Sequence, residues 1–292
     1  KREQNGKKDQ EPQIYLIPPD GGEARRAGEV PTGVDDFKWF PDGQRIAFVT
    51  WVWPQLKGVK AQADKLKEVQ AVKDSAFATE DAVYRHWDHN LPMNRVPHLC
   101  VMDLATGRVH DLLEGTDFEL QRREPGANDF AIAPNGKSIS FVHDPDRGQN
   151  PAPRMALAQI ELRGAKVQSI RNLLNDRAWD FSAPVYSADG AQLAFLASHQ
   201  QISNTQPNRL ACLSLPAATN TQTTSRKLAW KTLSDKWDRE PQAPLMWSED
   251  GSALLCKAED QGRQHVWRFD MATHQVSQVV EGGTVHAFDM AP

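Results

Sequence analysis

The chain has little that would cross-link it or bind it to a polyanion. It has three cysteines, Cys100, Cys212 and Cys256. An odd number so widely spaced cannot complete a disulfide framework, and each sits in an apolar strand pattern that suits a small buried hydrophobe. Positive charge is also scarce: 34 Lys and Arg face 38 Asp and Glu, for a net charge of −4. Without a basic field to meet a phosphate backbone, nucleic acid is not an expected partner. No apolar run reaches the roughly 20 residues of a membrane-spanning helix. The opening Lys1-Arg2-Glu3-Gln4-Asn5-Gly6-Lys7-Lys8-Asp9-Gln10 is a charge run with no signal-peptide core, and residues 1–12 read as a flexible polar segment. The compartment stays open between periplasm and cytoplasm. With 292 residues, 39% hydrophobic and 25% charged, the chain has the size of one large domain.

What is present is a phrase that returns four times. It reads Trp39-Phe40-Pro41-Asp42-Gly43 before Ile46-Ala47-Phe48, Ala133-Pro134-Asn135-Gly136 before Ile139-Ser140-Phe141, Ser187-Ala188-Asp189-Gly190 before Leu193-Ala194-Phe195, and Trp247-Ser248-Glu249-Asp250-Gly251 before Ala253-Leu254-Leu255. Asn-Gly and Asp-Gly supply the positive φ of a tight hairpin, and the flanking alternation is that of half-buried strands. A second hairpin follows each phrase, as in Leu99 to Asp103 before Leu104-Ala105-Thr106-Gly107 and Val266 to Asp270 before Met271-Ala272-Thr273-His274. Four-stranded units repeated in this way are blades, so residues 13–292 read as an all-β, partial β-propeller of antiparallel four-stranded blades. The units fall at about 35–113, 128–171, 180–230 and 243–280. An outer hairpin at 13–30 precedes them, a polar loop follows Leu215, and 284–290 is expected to begin a further inner strand. An open arc would leave unpaired edges. The ring is therefore expected to be completed by blades outside this chain rather than closed as a fifth blade by pairing 284–290 with 13–26.

The interval from Gly43 to Gly136 is much the longest, and it holds an insertion at about 52–96. There Leu66, Val69 and Val72 recur among Lys65, Lys67, Glu68, Lys73 and Asp74, the pattern of an amphipathic helix over 60–76. His86, Asp88 and His89 lack a second cluster to complete a metal site, so neither metal nor cofactor is expected. The tryptophans fall mostly on strands, where packing between blades explains them better than a sugar platform.

The string Tyr84-Arg85-His86-Trp87-Asp88-His89, with His98-Leu99-Cys100-Val101-Met102-Asp103-Leu104-Ala105-Thr106-Gly107, resembles the propeller of the prolyl oligopeptidase family of serine peptidases, in its dipeptidyl-peptidase and acylaminoacyl-peptidase branch. The opening Gln13-Ile14-Tyr15-Leu16-Ile17 and the Trp39-Phe40-Pro41-Asp42-Gly43 phrase fit the same branch. The resemblance implies a seven-bladed gating propeller, of which this chain would be roughly the second to sixth blades, over a C-terminal α/β-hydrolase domain that hydrolyses short peptides. No Gly-x-Ser-x-Gly elbow occurs in the chain, so no catalytic residue is assigned here and the hydrolase domain is expected to lie elsewhere. For substrate contact the insertion offers Glu80, Asp81, Arg85, Trp87 and Asp88: carboxylates for a free amino end, and an arginine and an aromatic for carbonyls and side chains. The alternative is that Tyr84, His86 and Trp87 pack a strand while Arg85 and Asp88 form a structural pair. Expected partners are short peptides and the hydrolase domain, with a homo-oligomer admitted and no membrane span. A Tol-like or WD-repeat-like scaffold for protein binding is the second reading, and a five-bladed glycan-active propeller with converging carboxylates is the third.

Overall fold

The computed structural model describes residues 3–4, 7–73, 76, 78–200, 206–215 and 228–290. Lys1, Arg2, Asn5 and Gly6 of the charge run, Asp74 of the expected helix and the polar loop after Leu215 lie outside the described residues.

Four four-stranded antiparallel sheets follow one another along the chain. The first consists of Asp36–Trp39, Arg45–Val52, Val96–Asp103 and Val109–Asp111. The second holds Phe130–Ile132, Ser138–His143, Ala156–Arg163 and Lys166–Leu174. Trp179–Tyr186, Gln192–His199, Arg209–Ser214 and Trp230–Thr232 make the third. Gln242–Trp247, Ala253–Asp260, Arg263–Asp270 and Val276–Gln278 make the fourth. In each sheet the strands lie in chain order, the meander of a propeller blade.

The repeated phrase is the turn between the first two strands of each sheet. Gly43, Gly136, Gly190 and Gly251 all take φ between 63° and 69°, and each N–H donates to the carbonyl three residues back at 2.8–3.0 Å. The preceding Asp or Asn keeps an ordinary backbone and works through its side chain. The Oδ1 of Asp42, Asn135, Asp189 and Asp250 accepts the N–H two residues on, at 2.8–2.9 Å. Glycine supplies the left-handed residue and the Asx oxygen closes the turn. In the first and fourth sheets a second motif joins the last two strands, where Asp103 accepts from the Thr106 N–H and hydroxyl and Asp270 from those of Thr273.

The chain divides into two compact units, 1–127 with 143–153 and 160–169, and 128–142 with 154–159 and 170–292. In the second unit the period-2 alternation sorts side chains between neighbouring sheets. Leu193, Phe195 and Ala197 join Ala131, Val142, Leu157 and Leu173 in one core, while Ala194 and Leu196 join Leu245, Trp247, Leu254 and Phe269 in the next. The first strands of these sheets, Phe130–Ile132, Trp179–Tyr186 and Gln242–Trp247, neighbour one another in turn, the inner-strand contact of propeller blades. The segment 284–290 forms no strand, contrary to expectation. Gly282 and Gly283, both at positive φ, turn the chain before it. The Val285 N–H donates to the Gln264 carbonyl at 2.8 Å, and the Lys257 ammonium to the His286 carbonyl at 3.1 Å.

In the first unit, Ile14, Ala27, Val30 and Val34 lie on Ile46, Phe48, Cys100 and Met102 of the first sheet. Gly28 permits this approach: a Cβ there would stand 2.8 Å from the Gly107 carbonyl oxygen and 2.9 Å from the Met102 sulfur. Asp9 is anchored, accepting from the Tyr15 hydroxyl at 2.6 Å and pairing with Arg26 at 3.3 Å. The helix runs Gly58–Ala71, starting two residues and ending five residues earlier than expected. It starts where the Gly58 N–H meets Glu114 Oε2 at 2.7 Å, and it ends as Val72 turns extended. Gln62, not the Leu66/Val69/Val72 stripe, is its buried residue.

Candidate functional site: a cavity built by the insertion

The insertion leaves the first sheet after Val52 and returns at Val96. Pro54 cannot donate to a ladder, which ends the outgoing strand. Since Val52 pairs with Val96, Trp53 and Arg95 emerge side by side, and the Arg95 guanidinium carbon stands 5.0 Å from the Trp53 ring centroid. Gln62 reaches back from the helix to fix Trp53. Its Oε1 accepts the Trp53 N–H at 2.9 Å, and its Nε2 donates to the carbonyls of Trp53 and Leu56 at 3.0 and 3.1 Å.

These elements enclose a cavity of about 960 Å³, whose lining includes Trp53, Val69, Leu91, Met93, Arg95 and Arg122. Arg122 organises one wall. It is 8% exposed and donates to buried Glu119 through Nε at 2.7 Å and Nη2 at 3.3 Å. Its Nη1 pairs with Asp81 Oδ2 at 3.0 Å, and its Nη2 also donates to the Arg147 carbonyl at 3.1 Å. Gly148, at φ +68°, makes room: a Cβ there would meet the guanidinium at 2.6 Å. Asp144 holds that turn by accepting the N–H groups of Asp146 and Gly148, each at 2.8 Å. Burial by itself lowers the Arg122 pKa, but the two carboxylates more than offset it and the net shift is upward. At Arg95 burial wins and the pKa falls, opposed only by the field of Glu11 and Asp35. The Arg95 Nε is buried with no partner.

Of the residues expected to touch substrate, Asp81 lines the cavity, and the Gln149 amide donates to its Oδ1 at 3.4 Å. Arg85, Trp87 and Asp88 lie beside the cavity on a small hairpin, Arg85–His86 with His89–Asn90. Trp87 and Asp88 form its tip, and Trp87 is 82% exposed with φ 48°. Glu80 is exposed just before this hairpin. Arg85 and Asp88 do not pair with each other, whereas His86 is half-buried on its strand, edge-on to the Trp87 and His89 rings. Arg85 Nε donates to the Trp87 carbonyl at 3.0 Å, Asp88 Oδ1 stands 3.4 Å from His89 Nδ1, and Tyr84 and Trp87 are exposed rather than packed. Trp53, Arg95, Glu119, Arg122 and Gln149 were not singled out from the sequence. The pairing of the strands that flank an insertion is the signal that brings Trp53 to Arg95. Nothing comparable marks Arg122.

Among the described residues no group of three or more His, Cys, Asp or Glu could hold a metal ion. The three cysteines are free and buried. Burial pushes the Cys212 thiol up to about 11 and the Cys256 thiol up to about 12, so neither is a thiolate nucleophile near neutral pH. No helix of the described residues is long and apolar enough to cross a membrane.

Sheet order and the stacking of inner strands define a β-propeller of four-stranded blades with one helical insertion. Its relatives are peptidases. The chain is 23% identical over 289 residues to dipeptidyl-peptidase 5 of Arthroderma otae, an alignment covering 91% of this chain and 38% of that protein. It is 26% identical over 227 residues to the human acylamino-acid-releasing enzyme, covering 75% of this chain and 29% of the enzyme. Among solved structures, an acylaminoacyl peptidase of Pyrococcus horikoshii superposes with a TM-score of 0.59 at 11% identity, covering 96% of this chain and 37% of that one. At that identity the likeness speaks for the fold. No family model matches the chain. The chain is homologous to dipeptidyl-peptidase 5 and acylamino-acid-releasing enzymes, the branch that the Tyr84–Asp88 string resembles, and it spans less than two fifths of the length of these two relatives.

Proposed function

We propose that this chain is the substrate-selecting propeller of a serine peptidase of the prolyl oligopeptidase family. It acts on short peptides, and the nucleophile, base and oxyanion hole are carried by an α/β-hydrolase domain outside these 292 residues. The observation that carries this reading is the cavity of about 960 Å³ built by the one insertion that breaks the blade repeat, in a chain whose relatives are named for releasing dipeptides and acylamino acids. Its size is that of a small-ligand site, and its walls combine apolar surface with charges of both signs, Lys65, Arg95, Arg122 and Arg147 against Asp81, Glu119 and Asp146. Asp81, oriented by Arg122, is the group for a peptide ammonium, with Glu80 and Asp88 adding negative charge nearby. Arg85 and Trp87 hold carbonyls and side chains from the hairpin. A blade scaffold fixes these groups while a separate domain performs the chemistry, so the propeller governs which peptides reach the serine.

The test is the full-length coding sequence and its product. A Gly-x-Ser-x-Gly elbow is expected beyond Pro292. A fluorophosphonate should label the full-length protein and leave the 292-residue chain unlabelled. Chromogenic dipeptidyl and N-acyl-aminoacyl substrates then separate the two specificities. A gene with no hydrolase domain would overturn the proposal and leave the protein-binding scaffold as the reading.

A further inference from the structure

Four cations line the cavity, and three of them are matched by carboxylates. Arg122 is held by Glu119 and Asp81, Arg147 pairs with Asp117 at 2.7 Å, and Lys65 pairs with Glu68 at 2.7 Å. Arg95 is the exception: Glu11 and Asp35 act on it only through their field, and neither lines the cavity. Among the described residues no carboxylate lies within ion-pair distance of its guanidinium and no acceptor reaches it, and its Nε is buried without a partner. A partly buried guanidinium is costly unless something pairs with it. Trp53 supplies a face for the flat group but no acceptor, so the fork of N–H donors is unused. The planar two-oxygen anion that matches such a fork is a carboxylate. A more highly charged anion is disfavoured because Asp81, Glu119 and Asp146 line the same space. Leu91, Met93 and Val96 form apolar wall, and Asn90, Asn94 and Gln149 bring carboxamides that can bond a peptide backbone.

We infer that Arg95, seated on Trp53, is the receptor for a carboxylate of a short peptide bound in this cavity. The inference deepens the peptide-selecting function proposed above and rests on it. The carboxylate comes either from the peptide's C-terminus or from an acidic side chain, and both sources present the same two oxygens to the fork.

Calorimetric titration of the 292-residue chain tests this with three probes: alanyl-phenylalanyl-leucine, its C-terminal amide, and alanyl-glutamyl-leucinamide. The free acid is expected to bind about tenfold or more tightly than its amide if the C-terminus is the source. If the side chain is the source, the glutamyl amide should exceed the phenylalanyl amide by a similar factor. Arg95→Gln should bring the relevant ratio to about one, and Arg95→Lys should restore part of it. The comparison of probes on the unaltered chain decides the matter even if Arg95→Gln folds poorly. Equal binding of all three probes overturns the Arg95 assignment while leaving peptide binding intact, and a ratio that survives in Arg95→Gln overturns it too. Binding of none of the three refutes it together with the peptide cavity. A gene without a hydrolase domain would refute the peptidase reading alone and leave a carboxylate ratio standing.

Discussion

A single methyl group at position 148 would disturb both the backbone and the charge network of the cavity. Gly148 holds φ +68°, which an alanine adopts at a cost of about 1 kcal/mol, and the new Cβ would sit 2.6 Å from a guanidinium that Glu119 and Asp81 prevent from swinging away. Gly148→Ala is therefore expected to lose roughly 2 kcal/mol in urea unfolding, more than the backbone effect alone. The turn aspartates give a pH signature. Asp270 has its pKa lowered to about 2 by the Thr273 N–H and hydroxyl and by Arg268, and Asp250 is lowered to about 2 by Ser248 and Ser252. Both folded values lie below the unfolded carboxylate value of about 3.9. The stability they contribute is therefore complete above about pH 4 and is lost as the pH falls toward 2. Asp270→Asn should melt lower than the parent at pH 6, and the gap should close as the pH falls through that window; a gap that stays constant would deny the carboxylate its role. The turn residues were legible in the sequence because a turn is local. The Asp/Asn-Gly phrase located each turn and its left-handed glycine, but the Asp or Asn acts as an acceptor and not as the second left-handed residue the pattern suggested. Arg122 was not legible, because its partners Asp81 and the Arg147 carbonyl come from segments that only the folded insertion brings together.

The sheets owe their legibility to alternation. Along Gln192–His199, successive side chains enter different cores, and that period of two is written in the residues themselves. The helix was less legible. Its apolar stripe marked its existence, but its start depends on Glu114, far along the chain, and its attachment depends on a polar residue that a hydrophobic pattern overlooks. Gln62 is the link between helix and sheet: it makes three bonds to the Trp53 and Leu56 backbone, two of them with both partners buried. Gln62→Ala would leave the buried Trp53 N–H unpaired, while the Trp53 carbonyl keeps the Leu56 N–H at 3.0 Å, at a cost of about 2 kcal/mol. Gln62→Glu should also be costly, because a carboxylate cannot donate to those carbonyls. The expected readout is faster hydrogen exchange across Gly58–Ala71 at unchanged protection in the fourth sheet, which tells local release of the helix from global loss. Uniform acceleration across the chain would mean that Gln62 supports more than the insertion.

At the scale of the whole molecule, the repeat and the insertion divide the labour. Blades with fully buried strands such as Ile46–Val52 give a rigid frame, and an irregular segment held at both ends by that frame carries the groups proposed above for recognition. The hairpin tip is the part of the insertion that the frame needs least. Trp87 is 82% exposed and keeps φ 48°, a conformation that is unfavourable for a bulky residue, so its side chain adds little to folding. In the full-length peptidase proposed above, Arg85→Ala and Trp87→Ala should leave the melting temperature within about 1 °C of the parent, as surface changes do. They should raise KM for dipeptidyl or N-acyl-aminoacyl substrates severalfold with kcat held, the mark of lost binding common to ground state and transition state. A fall in kcat at constant KM would instead place the tip against the reacting bond. If both constants stay at parental values, the hairpin is not a substrate contact, and Asp81, Arg95 and the cavity wall would bear the selection alone.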